Sequence, residues 1–192
     1  MQQVGIEAGT SGIKVLLASF ELFPSVANRL LVSHGVIAPG ADGKLAVQER
    51  WFALDTWLLV HEAIRKEIGP NALFTLGTRI MENPKFPPWI RDLETALVSM
   101  DVAYHSSHRK NGVVMFDPNT NEMLDGIGHY RTRRISRAQR IEVVCDTPYQ
   151  CEVDFGIVTV VAARFAPKAR TEHNPGACRR NGSSTCTYVV RW

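Results

Sequence analysis

The hydrophobic positions in the first half of the chain recur at the spacing of amphipathic helices. The stretches that show this spacing are 14–22, 25–31, 51–69, 70–83 and 87–100. Pro24 and Pro70 stand where a first helical turn is expected, and Gly69 stands where a helix ends. The segment from Pro87 to Trp89 opens the last stretch. In the 51–69 stretch the apolar stripe consists of Phe52, Leu54, Leu58, Leu59, Ala63 and Ile64.

Beyond Tyr104 the pattern changes to that of β-strands. The predicted strands are 112–117, 123–133, 139–145 and the tail from Thr171. The first two flank a turn at 118–121 and predict a hairpin, while 139–145 alternates between apolar and polar residues and predicts a third strand.

Residues 155–165 suit either a strand or a helix. We favour a helix, because Asp154 is a good N-cap and Pro167 a good stop. On this helix Ile157, Val161 and Phe165 should pack against the sheet, and Gly156 should allow a close approach to the cysteine-rich tail.

The order of predicted elements is helices, a hairpin meander, one helix and closing strands, which makes the fold class α+β. We expect an N-terminal helical layer packed on an antiparallel sheet, with a late helix and a C-terminal cysteine-rich knuckle. Residues 1–50 are expected to form a helical extension, and residues 51–192 the main domain.

The composition is that of an ordinary globular protein, with 45% hydrophobic and 21% charged residues among 192. The net charge of +3 is too small to indicate nucleic-acid binding, and the arginine-rich stretch 131–140 lacks interleaved aromatic residues. The N-terminus has no signal-peptide pattern, and no apolar run is long enough to span a membrane. We therefore expect a cytoplasmic protein with reduced thiols.

The C-terminal residues Cys151, His173, Cys178 and Cys186 are candidate metal ligands. Thiolates and an imidazole separated by short, turn-forming spacers are suited to tetrahedral zinc. Two other interpretations stay open at this point, namely buried thiols in the core and disulfides in an oxidising compartment.

The segment 146–151 leads into a helix that opens Asp154-Phe-Gly156, followed by a Cys-x7-Cys knuckle around Gly182 and a terminal strand. This order resembles the vinyl-4-reductase-type small-molecule-binding domain over residues 50–192. That domain belongs to the superfamily shared by the haem nitric-oxide/oxygen-binding sensors and the Bet3-type tethering subunits.

The resemblance implies a structural zinc ion. In the phenol-sensing members the ligands are a cysteine before the last helix, an acidic residue and the Cys-x7-Cys pair. Cys151, Cys178 and Cys186 match, but Pro175 stands where the acidic residue would be. His173 or Glu172 would have to serve, and His173 is the better zinc ligand.

A second candidate site is a cluster of histidines and aromatic residues. His105, His108 and His129 could converge on a pocket and bind a small ligand or a metal. The alternative is that His105 and His108 lie on the surface at a helix C-terminus, where the helix dipole favours a cation. We predict that Trp89, Tyr104 and His105 line the pocket, with His108, His129 and Tyr130 as further candidates.

The resulting prediction is a sensory domain that binds a small apolar or aromatic molecule and carries structural zinc. Binding would shift the population between two packing arrangements, which an output domain or signalling partner reads, and a homodimer is expected. No catalytic motif is recognisable, although metal at His105, His108 and His129 would permit an enzyme.

Two alternatives remain. The first is a haem-binding gas sensor, because Tyr130, Thr132 and Arg134 nearly match the superfamily's Tyr-x-Ser-x-Arg haem clamp. The second is a Bet3-like dimeric interaction module without a small ligand.

Overall fold

The computed structural model describes residues 4–19, 24–40, 45–47, 51–81, 86–135 and 138–192. The helices are α1 (Ser11–Ser19), α2 (Pro24–Ser33), α3 (Leu54–Glu67), α4 (Pro70–Ile80), α5 (Leu93–Ser106) and α6 (Cys151–Phe165). The strands are β1 (Ile6–Gly9), β2 (Ile37–Pro39), β3 (Leu45–Val47), β4 (Trp51–Ala53), β5 (His108–Lys110), β6 (Val113–Val114), β7 (Phe116–Asp117), β8 (Glu122–Met123), β9 (Tyr130–Arg134), β10 (Arg140–Cys145), β11 (Arg170–His173) and β12 (Cys186–Arg191). The predicted α+β class is confirmed.

Two four-stranded antiparallel sheets organise the chain. One has the strand order β4-β1-β5-β6 and the other β11-β12-β10-β9, while β2-β3 and β7-β8 form small separate pairs. The predicted turn at 118–121 therefore joins β7 to β8, but β9 pairs with β10 instead of continuing that hairpin. The segment expected to be a helical extension includes β1, which lies between β4 and β5.

The predicted helices exist, and their boundaries are adjusted by local chemistry. Pro24 and Pro70 are first residues of helices, as expected. α5 begins at Leu93 rather than near Pro87, because Asp92 and Thr95 form a capping box that satisfies the free N–H groups of its first turn. The predicted ends at Leu22 and Asn83 lie outside the described residues.

The buried face of α3 differs in phase from the predicted stripe. Leu59 is 59% exposed, whereas Trp57, Val60 and His61 face the interior. Residues 51–53 form β4 rather than the first turn of this helix.

Helix α6 packs mainly on α4, and also on α5, β11 and β12. Gly156 of α6 faces Gly77 of α4, and a Cβ atom added at Gly156 would lie 2.2 Å from the Phe74 carbonyl oxygen. The prediction that Gly156 faces the cysteine knuckle is therefore wrong, because this glycine permits a close helix crossing instead. Of the predicted packing residues, Val161 is buried and Ile157 and Phe165 are half-buried.

Within the described residues, no helix combines the length and hydropathy that crossing a membrane requires.

Candidate functional site

The four predicted metal ligands lie together in the structure. Cys151 begins α6, Cys186 begins β12, His173 ends β11, and Cys178 precedes a short 3-10 helix. One ligand atom from each of the four lies within 4.8 Å of the others. The Cys151 sulfur is 3.7 Å from that of Cys178 and 3.1 Å from that of Cys186. Strand pairing and the helix start thus bring distant parts of the chain into one cluster, called here the cysteine cluster.

The donor set of the cysteine cluster fits zinc. Thiolates bound at about 2.3 Å in a tetrahedron are about 3.8 Å apart; the Cys151–Cys178 separation of 3.7 Å matches this value, and the Cys151–Cys186 separation of 3.1 Å is shorter. The Nε2 atom of His173 is buried and has no hydrogen-bond partner among the described residues, so its lone pair is available. Three cysteines converge, so a disulfide between two of them would leave the third thiol unpaired. Cys145, also buried, pairs with Cys186 across the sheet and is not a member of the cluster.

Hydrogen bonding favours the thiolate form of Cys186. The Cys151 thiol lowers the pKa of Cys186, and Arg179 contributes through its backbone N–H and its Nε, at 3.4 and 3.3 Å from the sulfur. The same hydrogen bond to Cys186 raises the pKa of Cys151. A thiolate is the form of cysteine that binds metal.

Arg179 connects the cysteine cluster to a buried carboxylate. Its guanidinium donates to Asp154 Oδ2 over 2.9 Å, and the Tyr130 hydroxyl donates to Asp154 Oδ1 over 2.5 Å. Burial raises the pKa of Asp154 to about 6, against the opposing effect of Arg179. Asp154 is therefore not the predicted N-cap; Gln150 holds that position, and Asp154 is fully buried within the first turn of α6.

A cavity of about 120 Å³ lies between α1, α3, α5 and α6. Its volume is comparable to the roughly 150 Å³ of an engineered apolar cavity that binds benzene. The aromatic and imidazole side chains that line it are Trp57, Tyr104, His108, Tyr130 and Tyr149. Met100, Val153 and Ile157 contribute apolar surface.

The tyrosine hydroxyls and the His108 imidazole that line this cavity are bonded to other protein groups. Tyr104 donates its hydroxyl to the Ile127 carbonyl over 2.7 Å, and Tyr130 donates to Asp154. His108 Nδ1 lies 2.8 Å from the Tyr104 carbonyl, so Nδ1 carries the proton and Nε2 accepts the Tyr149 hydroxyl over 2.7 Å. Burial lowers the pKa of His108 to about 4, which leaves the imidazole neutral at pH 7. None of the side chains that line the cavity is charged at pH 7.

The predicted pocket residues are divided between different places. Tyr104, His108 and Tyr130 line the cavity. Trp89 is 61% exposed and lines an adjoining cavity of about 340 Å³. His105 and His129 line neither cavity and lie beside Asp101. His105 and His108 are buried, so they are not the surface residues considered as an alternative.

Sequence reasoning missed Trp57, Tyr149 and Arg179. Trp57 lies on the buried face of α3, which the predicted stripe did not identify, and Tyr149 lies within the segment 146–151 that leads into α6. Arg179 is adjacent to Cys178 but carries no separate sequence signal for its contact with Asp154.

His61 is fully buried and has no hydrogen-bond partner for either ring nitrogen among the described residues. Its ring lies 4.5 Å from that of Trp57 and 5.6 Å from that of Tyr149, measured between centroids. Burial lowers its pKa to about 3. His61 is therefore neutral in the folded protein throughout the physiological pH range.

Acidification from pH 6.5 to 4.5 is expected to destabilise the protein through His61 and His108. Both have folded-state pKa values below the unfolded value of about 6.5, so stability present above pH 6.5 is lost as the pH falls. Each contributes a loss of about 2 kcal/mol, while Asp154, whose pKa is raised, recovers about 2 kcal/mol. Cys186, whose pKa is lowered, adds a further loss in the same window, so the difference between the wild type and His61→Phe isolates the part due to His61. In denaturant unfolding at the two pH values, His61→Phe should reduce the acid loss by about 2 kcal/mol, and His34→Phe controls for replacing a half-buried histidine; an undiminished loss in His61→Phe contradicts the prediction.

The fold is similar to that of H-NOX proteins. An H-NOX protein from S. oneidensis in the Fe(II)NO ligation state aligns with a TM-score of 0.63 and 13% identity, covering 100% of this chain and 98% of that chain. An NMR structure of an H-NOX domain from Shewanella oneidensis in the Fe(II)CO state gives 0.61 and 13%, covering 96% and 97%. A mutant H-NOX from T. Tengcongensis gives 0.62 and 13%, covering 96% of each chain.

Neither a protein-family model nor a curated protein sequence matches the chain. At these identities the likeness establishes the fold alone, and the chain has the fold of H-NOX proteins.

Proposed function

We propose that this protein is a sensory domain that binds a small, uncharged, mostly apolar or aromatic molecule in the 120 Å³ cavity. The observation that carries the proposal is the lining: aromatic rings surround the space, and the tyrosine hydroxyls and His108 are already bonded to protein partners. A ligand that enters therefore gains apolar contact without stripping any of these groups of its hydrogen bond. A catalytic role is not part of the proposal.

We further propose that Cys151, His173, Cys178 and Cys186 hold a structural zinc ion. The ion would pin β11, β12 and the start of α6 together. Arg179 and Asp154 form a continuous polar connection from this cluster to Tyr130 in the cavity wall. Filling the cavity would thereby bias the packing of α6, and an output domain, a signalling partner or the second copy in a homodimer would read the change.

Haem is the second candidate, because the fold is that of H-NOX proteins. The 120 Å³ cavity alone is too small for haem, which requires a pocket at least as large as the roughly 300–1,000 Å³ of drug-sized ligands. Haem would have to extend into the adjoining cavity of about 340 Å³, which shares Ala103 and Ser107 with the first. Of the Tyr-x-Thr-x-Arg residues only Tyr130 lines the cavity, since Arg134 pairs with Glu94 over 2.6 Å. His108 has both ring nitrogens engaged.

Binding of a phenol-sized molecule is expected to raise the melting temperature of the purified protein. Ligand at 100 times its Kd adds about 2.7 kcal/mol, which corresponds to roughly 5–10 °C for a domain of this size. A thermal-shift screen of phenols, deoxygenated aromatic analogues and fatty acids measures this. Ala103→Leu, which fills the cavity at its α5 wall, should abolish the shift.

The matched control for the cavity variant is Ala163→Leu, at an exposed position of α6 outside the cavity lining. This variant should keep the full shift. If no compound stabilises the wild type, or if Ala103→Leu responds as the wild type does, the cavity is not a ligand site. Reconstitution with haemin followed by an absorption spectrum separates the second candidate, because only bound haem gives a Soret band.

A further inference from the structure

A second cluster of metal-ligating side chains lies on α5 and the segment before β9, outside the lining of the cavity. We propose that Asp101, His105 and His129 form a site for a divalent first-row transition metal ion. One ligand atom from each lies within 4.8 Å of the others. Asp101 and His105 are one helical turn apart on α5, and His129 immediately precedes β9, so an ion here would clamp the helix to the sheet. The site shares no residue with the cysteine cluster.

His105 is prepared as a ligand. Its Nδ1 lies 2.8 Å from the Asp101 carbonyl oxygen, which can only accept, so Nδ1 carries the proton and Nε2 has the lone pair. The side chain is fully buried, and Nε2 has no hydrogen-bond partner among the described residues. Leaving such an atom unsatisfied is unfavourable. A backbone carbonyl that fixes one ring nitrogen while the other faces a metal is the usual arrangement of ligating histidines.

His129 and Asp101 supply the remaining donors. His129 Nδ1 lies 2.9 Å from Asp101 Oδ2, a separation that two adjacent ligands of one ion would also have. The other carboxylate oxygen, Oδ1, accepts the Tyr130 backbone N–H over 2.9 Å, which fixes the orientation of the carboxylate. Secondary contacts of this kind are what hold a metal-binding carboxylate in place.

The surroundings of the histidines favour a cation. Asp146 accepts the backbone N–H of His129 over 2.6 Å, and Asp125 lies 3.8 Å from His129 Nε2. With Asp101 these make three carboxylates. Two cations lie beside them, namely Arg131, which is bonded to Asp146, and Lys110, whose Nζ donates to the Asp125 carbonyl oxygen over 2.9 Å. His129 is partly exposed and the Asp125 side chain is almost fully exposed, so water or an exogenous ligand can complete the coordination.

The ligand set indicates the class of ion. Two imidazoles and one carboxylate with open positions suit Fe²⁺, Zn²⁺, Co²⁺ or Mn²⁺, whereas the thiolates of the cysteine cluster select zinc. An ion pair between Asp101 and His129 alone would explain their short contact, but it would leave His105 Nε2 without a partner.

Titration of the metal-free, reduced full-length protein with Co²⁺ tests the proposal. Cobalt in the cysteine cluster gives thiolate-to-metal charge-transfer absorption, and cobalt at Asp101, His105 and His129 gives none. We expect two equivalents, one with and one without this absorption. Asp101→Asn and His129→Ala should each weaken the second equivalent by about 10- to 100-fold or more while the first keeps its absorption.

His34→Ala is the matched control, since His34 Nδ1 also bonds a carbonyl one turn earlier but belongs to neither cluster. It should bind cobalt as the wild type does. The proposal is overturned if the wild type takes up only thiolate-bound cobalt, a result that needs no variant to fold. It is also overturned if both variants retain the second equivalent at wild-type affinity. A single equivalent without charge-transfer absorption would support this site and reject the cysteine cluster as a metal site.

Discussion

Replacing Cys178 by serine is expected to release the bound zinc and to lower the melting temperature by about 10 °C or more. A structural zinc site contributes folding free energy on the order of 10 kcal/mol in small metal-dependent peptides. The contribution should be smaller here, because the chain buries a large apolar core of its own. The loss of stability is nevertheless large, since the ion would join β11, β12 and α6. Without the ion, the negative charge of the Cys186 thiolate would also stay buried without the metal cation that balances it.

The matched control is Cys145→Ser. Cys145 is as buried as Cys186 and lies directly opposite it across the sheet, but it is outside the cysteine cluster. Burying a serine there costs about 1–3 kcal/mol and should leave the zinc content at the wild-type value. Elemental analysis and thermal unfolding of both variants measure the two effects, and Cys178→Ser should hold one equivalent of zinc less than the wild type. If Cys178→Ser holds as much zinc as the wild type, or if zinc is absent from the wild type, the cysteines are core residues and the metal proposal fails.

The helical half of the chain was predictable where proline and glycine mark the ends of helices, as at Pro24, Gly69 and Pro70. The face of α3 that packs against the interior was not predictable. Leu58 and Leu59 are equally apolar, so the sequence cannot show which of them faces the interior, and the structure exposes Leu59. A polar residue such as His61 is expected on the surface, but His61 is fully buried. Its ring packs against the rings of Trp57 and Tyr149, and these contacts are not visible in the sequence.

The candidate sites were predictable to different degrees. The cysteine cluster could be assembled from the sequence because thiols and imidazole are chemically specific ligands, and its geometry agrees with that grouping. Asp154 could not be assigned, since an acidic residue before a helix usually caps it. Two of its three side-chain partners, Arg179 and Tyr130, lie more than twenty residues away in the sequence, and the third is Thr147. The same limit applies to Asp101, which joins His129 only through the packing of α5 on β9.

The contact between α4 and α6 gives the second large expected effect. Gly156→Ala is expected to destabilise the protein by about 3 kcal/mol. An alanine in an exposed helix interior would normally be about 1 kcal/mol more favourable than glycine. Here the added Cβ would lie 2.2 Å from the Phe74 carbonyl oxygen and 2.8 Å from the Thr78 nitrogen, both of which are backbone atoms that cannot rotate away. The two helices would have to separate, and the packing around Val153 and Val161 would loosen.

Gly77→Ala provides an independent test of the same crossing, because its Cβ would lie 2.2 Å from the Val153 carbonyl oxygen. Both single variants should be destabilised, and the double variant should lose less than their sum, since one separation of the helices relieves both clashes. Gly12→Ala is the control: its Cβ would meet Trp57 at 3.4 Å, an ordinary contact, so its stability should stay near that of the wild type. Denaturant unfolding measures all four variants. A Gly156→Ala protein as stable as the wild type would show that α6 does not approach α4 this closely. The connection from Arg179 through Asp154 to Tyr130 would then no longer be held by a tightly packed α6.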